Sequence, residues 1–261
     1  MMIPEGAFIA GLFGLAAGSF LNVCIWRLPR KESIVWPGSH CPQCGRGLSW
    51  FENIPLFSFL LFRGRCRYCP KAISKRYPAV ETLSACIWII SWHAYPHSFM
   101  AVISAVFLSL LLVTIFTDFE TGLIPDFLTL PGIGIGMAAS FFYPPLQEAL
   151  INLKALQQSI VGFCAGISLG YLTGAMGKNI FRKESLGGGD IKLLAMLGAF
   201  LGWQGVLLTF FMAPFFALPF ALYCRWIKKQ EIMPYGPFLS IAAGFVFFYE
   251  KIIVEYLQLH F

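Results

Sequence analysis

A chain of 261 residues that is 57% hydrophobic and only 12% charged, with a mean hydropathy of +0.70, is excluded from the ordinary soluble globular class and reads as a multi-span membrane protein. Its net charge of +6 is accounted for by membrane topology and anionic headgroups, and gives no argument for nucleic acid as a partner. Three aspartates are present, Asp118, Asp126 and Asp190, and none is spent on ordinary surface.

A helix takes roughly 20 apolar residues to cross a hydrocarbon core. On that measure the sequence predicts an all-α polytopic fold of about eight transmembrane helices, near residues 6–26, 78–96, 98–117, 127–144, 156–177, 190–202, 204–224 and 236–257. The first run is a retained helix and not a cleaved signal peptide, because Arg27 and Arg30 follow it and no basic residue precedes it. Basic residues crowd the stretch from Arg27 to Arg76, and recur at Lys178, Arg182 and Lys183 and at Arg225, Lys228 and Lys229. Such residues stay on the cytoplasmic side. The expected topology therefore has the amino terminus outside, and both aspartate-bearing turns at the cytoplasmic face.

Within the first helix, small residues such as Gly11, Gly14, Gly18 and Ser19 let a neighbouring helix come close, and Asn22 sits near the membrane surface as an interhelical hydrogen bonder. The loop that follows, to about residue 77, is the one sizeable soluble piece. It carries Cys41-Pro42-Gln43-Cys44 and Cys66-Arg67-Tyr68-Cys69, two Cys-x-x-Cys knuckles. Each knuckle offers two thiolates, and four together close a tetrahedral structural zinc site with Cys41, Cys44, Cys66 and Cys69 as ligands. Disulfides or a redox pair are the competing reading, and a basic, cytoplasm-facing loop argues against them. A loop this short has too little apolar surface to fold without such a staple. Cys24, Cys86, Cys164 and Cys224 share no spacing and read as small buried hydrophobes.

Glu81 lies just inside the second span and Arg76 just outside it; pairing between them and a part in a ligand site both remain open. The third span closes at Asp118, and Gly122 and Pro125 break the chain before Asp126. A solvated turn is the simpler reading for Glu120 and Asp126, but Asp118 follows directly on an apolar helix. Residues 178–189 are expected to form a basic, glycine-rich loop that delivers Asp190 to a helix start. If that helix ends near Trp203 it is only about 20 Å long, so its amino end is recessed below the membrane face. Capping is an ordinary role for an aspartate there. Met233-Pro234-Tyr235-Gly236-Pro237 then makes a stiff turn into the last span, a wall of a site or simple packing punctuation.

If Asp118 and Asp190 meet, two neighbouring carboxylates share a proton and titrate as a pair. One can then activate a water while the other protonates a peptide carbonyl, with no cofactor required.

These residues resemble the bacterial prepilin peptidases (prepilin leader peptidases with methyltransferase activity), within the wider Gly-x-Gly-Asp group of membrane aspartyl proteases. The likeness runs through Gly18-Ser19-Phe20-Leu21-Asn22-Val23, both cysteine knuckles, Asn53-Ile54-Pro55, Arg76-Tyr77-Pro78 with Glu81, Asp118 ahead of Ile124-Pro125-Asp126, Gly187 through Asp190 with Lys192, and Gly236-Pro237. It implies an intramembrane aspartic endopeptidase of the bacterial inner membrane with Asp118 and Asp190 as its catalytic pair. Many relatives carry an aspartate where this chain has Glu120, which leaves Asp118 as the first of the pair. The implied substrates are prepilins or pseudopilins, with a short basic leader and a hydrophobic helix, cut at the cytoplasmic face; membrane lipid is the other partner. The implied second activity is N-methylation of the new amino terminus from S-adenosylmethionine. No residues can be assigned to that cofactor, because no glycine-rich strand-helix fingerprint is present.

The expected domains are a first transmembrane helix at 1–28, a cytoplasmic zinc-binding domain at 29–77 and a membrane-embedded aspartyl protease domain at 78–261. A transporter using buried carboxylates is the rival from another class, and it predicts acids near mid-membrane and repeated broken helices.

Overall fold

In the computed structural model, which describes residues 5–41, 43–181, 186–228 and 233–260, helices account for almost all regular structure, and two isolated bridges are the extended pairing among the described residues. The chain divides into two compact units, Met1–Val113 and Thr114–Phe261.

The first unit begins with α1 (Glu5–Arg27), followed by the loop that contains the short helix α2 (Phe57–Leu61), then α3 (Arg76–Ala94) and the first part of α4 (Phe99–Thr121). Here α1 packs against α3. The small residues expected to permit this do so at Gly14 and Gly18, where an added Cβ would come 2.7 Å from the Cα atoms of Ala85 and Glu81. Without hydrophobic drive between helices in lipid, such close backbone approach supplies the packing. Asn22 adds a polar contact across the same interface, donating from Nδ2 to Tyr77 O at 3.1 Å, and another within α1, to Gly18 O at 3.3 Å.

The second unit takes in the end of α4, then α5 (Asp126–Phe142), α6 (Asn152–Phe181), α7 (Gly188–Tyr223) and α8 (Gly236–His260). Within it α7 packs on α5, α6 and α8. At 36 residues, α7 would span about 54 Å if unbroken, far beyond a hydrocarbon core. It is broken at Gly202, whose φ of 69° and ψ of −175° only glycine takes readily. The segment 188–201 is then about 21 Å long.

A break inside an apolar interior strands backbone carbonyls, and each must be satisfied by protein. Gln147 does this with its side-chain amide, donating to Phe200 O at 3.0 Å and Ala199 O at 3.3 Å, and Ser159 Oγ donates to Ala199 O at 2.7 Å. All three residues that meet there, Gln147, Ser159 and Ser140, are buried.

The predicted count of about eight spans is not confirmed. Among the described residues five helices are long and apolar enough to cross a membrane, Glu5–Arg30, Phe99–Thr121, Asn152–Asn179, Gly188–Trp226 and Gly236–Tyr256, with Asp126–Phe142 a shorter apolar helix. The spans predicted at 190–202 and 204–224 lie on either side of the break in α7 at Gly202, and α3 is diluted by Arg76, Glu81, serines and a histidine. The loop expected at 178–189 is also shorter than its composition suggested: α6 continues to Phe181, and residues 182–185, with Arg182 and Lys183, lie outside the described residues.

Candidate active site and thiol cluster

The four knuckle cysteines converge in the first unit, with their sulfurs all within 4.8 Å of one another and Cys41 Sγ 4.0 Å from Cys69 Sγ. Each knuckle is closed by backbone bonds, Cys41 N to Arg46 O at 2.9 Å in one and Cys66 N to Lys71 O at 3.2 Å in the other. The knuckles are braced together by Lys71 Nζ, which donates to Gln43 Oε1 at 2.9 Å, and by the Arg46 guanidinium 3.8 Å over the Tyr68 ring. All four thiols are free of disulfides.

Tetrahedral zinc–sulfur bonds of about 2.3 Å place sulfurs about 3.8 Å apart, so this donor set fits a closed structural ion. Burial opposes ionisation of Cys41, yet N–H groups of Cys44 and Gln43 draw its thiol down to about 7. The Lys71 N–H favours the Cys69 thiolate, but burial and the neighbouring sulfurs push that thiol up to about 11. Thiols this close titrate together, and a bound dication would favour their thiolate forms. His40 is not among the donors that converge here.

In the second unit, Asp118 and Asp190 lie close enough for the charge of one to act on the other. Asp118 sits on the last turn of α4, which runs three residues beyond it to Thr121, and it is 6% exposed. Its carboxylate accepts the Gly236 N–H. Asp190 occupies the first turn of α7, half-buried, and its carboxylate accepts the Gly187 N–H at 3.2 Å while its own N–H donates to Gly187 O at 3.1 Å. Each acid is therefore held by a backbone donor from a glycine.

Ile124 wedges this arrangement together. An added Cβ on Gly189 would lie 3.1 Å from Ile124 Cβ, and one on Gly236 would lie 2.8 Å from Ile124 Cδ1. The turn that follows α4 is thereby packed between the starts of α7 and α8. Asp126 is not drawn into the pair: it opens α5 and takes Lys192 Nζ at 2.6 Å in an exposed salt bridge. Glu120 is exposed on the final turn of α4.

Tyr235 was not singled out by the sequence as a site residue. It stands beside Gly236 at the start of α8, and burial, then the charge of Asp190, pushes its hydroxyl up to about 12. The turn Tyr235-Gly236 thus bears on both acids, on Asp190 through the charge felt by the Tyr235 hydroxyl and on Asp118 through the Gly236 N–H. Its only sequence signal was the flanking prolines. Glu81, in the first unit, is not engaged as the Arg76 pairing suggested; its Oε2 accepts the Leu56 N–H at 2.8 Å, and Arg76 instead faces the rings of Tyr77 and Trp26.

Apolar spanning helices, two gripped aspartates in one unit and a four-thiol cluster in the loop of the other define a multi-pass membrane protein with an acidic site and a knuckle domain able to hold a metal ion. Residues 12–95 match the family described as the bacterial peptidase A24 N-terminal domain, and residues 105–222 match the type IV leader peptidase family. The chain belongs to the type IV leader peptidase family.

Among its relatives, proteins named prepilin leader peptidase/N-methyltransferase from Dichelobacter nodosus and Klebsiella pneumoniae are 33% and 39% identical, over 95% and 81% of this chain and 93% and 96% of theirs. One of the same name from Myxococcus xanthus is 40% identical over 78% of this chain and 58% of its own. No solved structure matches.

Proposed function

We propose that this chain removes the leader peptide of a prepilin or pseudopilin at the cytoplasmic face of the bacterial inner membrane, by a two-aspartate mechanism, and then N-methylates the new amino terminus. The observation that supports it best is the electrostatic approach of Asp118 and Asp190, brought from separate helices in an otherwise apolar unit. An acid at such a place is costly without a purpose.

In this reading one carboxylate of the pair is ionised and the other protonated. The ionised one takes a proton from a water, whose oxygen attacks the scissile carbonyl carbon as the other donates its proton to the carbonyl oxygen. The tetrahedral intermediate collapses as the C–N bond breaks, the departing nitrogen takes the proton first removed from water, and one hydroxyl returns its proton to the carboxylate that had donated. The Gly236 and Gly187 N–H groups hold each carboxylate in place, so little reorganisation is needed as charge moves. Gly188, where an added Cβ would meet nothing within 4 Å, leaves room near Asp190 for an extended peptide backbone.

Cys41, Cys44, Cys66 and Cys69 hold a structural zinc ion that folds the loop. For the second activity, S-adenosylmethionine supplies, when bound, an electrophilic methyl group on a sulfonium. A transporter finds no support in the relatives, which are named as peptidases.

Reconstitution with a prepilin tests the reading. Asp118→Asn and Asp190→Asn should each abolish leader removal while leaving the helical spectrum and zinc content unchanged; normal cleavage by either variant would sink the two-aspartate mechanism.

A further inference from the structure

We propose that Glu81, with Asn22 and Leu56 around it, receives the newly exposed primary amine of a hydrophobic peptide and takes its proton before methyl transfer. The proposal rests on the bifunctional reading above. The first 113 residues contain four glutamates, Glu5, Glu32, Glu52 and Glu81, and no aspartate. Glu5 and Glu32 are exposed. Glu52 is occupied as a cap, accepting the Ser49 N–H at 2.7 Å. Glu81 has no such local duty.

Glu81 lies in the second turn of α3 and is 8% exposed. Its Oε2 reaches across 25 residues of sequence to the Leu56 N–H, which leaves Oε1 for a second donor. Leu56 itself has φ 58° and ψ −42°, a conformation disfavoured for a residue with a side chain. Strain of this kind persists where surrounding contacts over-determine it, often at ligand-holding positions.

The second observation comes from α1. Asn22 is 1% exposed, its Nδ2 is used twice, and its Oδ1 is buried with no hydrogen-bond partner. A buried acceptor without a donor is costly, and calls for a ligand that brings one. Gly18, one turn before Asn22, lies against Glu81 Cα, and Tyr77, one turn before Glu81, is bonded by Asn22. The two residues therefore stand about one helical turn apart at the crossing of α1 and α3. A carboxylate oxygen and an amide oxygen together match an ammonium group, which is all donor and carries a positive charge.

The chemistry balances with a methyl sulfonium donor. The ammonium gives one proton to the Glu81 carboxylate, and the freed nitrogen lone pair forms the new N–C bond. The S–C bond breaks with its electrons returning to sulfur, giving a neutral thioether and a methylated ammonium. Glu81 releases its proton to water.

The test uses the full chain in detergent, with four readouts: methyl incorporation from labelled S-adenosylmethionine, leader cleavage, zinc content, and binding of a synthetic hydrophobic peptide compared with its amino-acetylated twin. In Glu81→Gln the replacing amide oxygen can still accept the Leu56 N–H, so the turn is kept and only the charge is lost. Methyl incorporation should fall at least about 100-fold, the scale of losing a general base, and preference for the free amine over the acetylated peptide should disappear. Cleavage and zinc content should stay at parental levels. Asn22→Leu should lower methyl incorporation about tenfold with the same cleavage, and Glu81→Asp should restore part of it.

Methyl incorporation by Glu81→Gln at the parental rate, or a parallel loss of cleavage and zinc in all three variants, would overturn the proposal. A parent chain that cleaves but never methylates would instead defeat the bifunctional reading on which it rests.

Discussion

Gly236 faces Asp118 so closely that a Cβ on the glycine would sit 2.7 Å from Asp118 Oδ2, while the Gly236 N–H donates to that same carboxylate. The bond and the missing side chain are two sides of one requirement. A carboxylate can lie on the backbone at the start of α8 only where no side chain stands between them.

Gly236→Ala should therefore displace Asp118 by a sizeable part of an ångström without removing any acid. Misplacement on that scale costs on the order of 100-fold in rate. We expect kcat/KM for leader cleavage to drop by about that factor, with little change in thermal stability. Gly134→Ala is the control: nothing lies within 4 Å of an added Cβ there, so activity should be parental and the helix up to about 1 kcal/mol more stable. Equal cleavage by the two variants would remove Gly236 from the site.

The acids were legible in the sequence, and their holders were not, for a physical reason. Asp118 and Asp190 stand out because an ionisable side chain is rare in an apolar run. A backbone N–H has no letter of its own, so Gly236 and Gly187 could be read as turn and loop residues but not as donors. The thiol cluster was equally legible, since two Cys-x-x-Cys knuckles carry their geometry in their spacing. Helix interruptions were less so. The sequence places a boundary between 190–202 and 204–224, but the form of the break there depends on the φ of Gly202 and on Gln147 arriving from a neighbouring turn, which no periodicity in 190–224 records. Likewise Glu81 was placed beside Arg76 by sequence spacing, whereas its partner lies in the loop 25 residues earlier.

The Lys192–Asp126 salt bridge, though only 2.6 Å long, is exposed at 42% and 54% on its two sides, so solvent and salt screen it. Such pairs contribute less than about 1 kcal/mol. Lys192→Met, Asp126→Asn and the double variant should show a coupling energy below about 1 kcal/mol in a thermal double-mutant cycle, fading further at high salt. Cleavage should change by no more than a few-fold. A loss comparable to that of Asp118→Asn would place Asp126 among the reacting groups.

Metal removal should loosen the loop. Zinc bound by the four thiolates that the knuckle cysteines offer would close the knuckles, and without it the loop has little apolar surface to hold it together. The parent should hold one zinc per chain. Chelation, or Cys41→Ser, should lower that content and open the loop to trypsin at Arg63, Arg65, Arg67 and Lys71. Added zinc should restore protection to the chelated parent and not to the Cys41 variant. Unchanged zinc in Cys41→Ser would exclude the four-thiolate site.

The break in α7 depends on a donor that comes from outside the helix. Gln147 Nε2 serves the carbonyls of Phe200 and Ala199 in a place where no water is at hand. Gln147→Met preserves much of the volume and chain length but removes both donors. Withdrawing hydrogen bonds from buried carbonyls costs about 1–3 kcal/mol, so the variant should melt earlier by a corresponding amount. Ser159→Ala withdraws one of the donors to Ala199 O and should cost less, about 1 kcal/mol. Because the segment 188–201 carries Asp190 at its other end, amide exchange along that segment should quicken in Gln147→Met more than in α8. If melting and exchange both stay at parental values, the carbonyls at the break have no need of Gln147, and Gly202 alone shapes the helix.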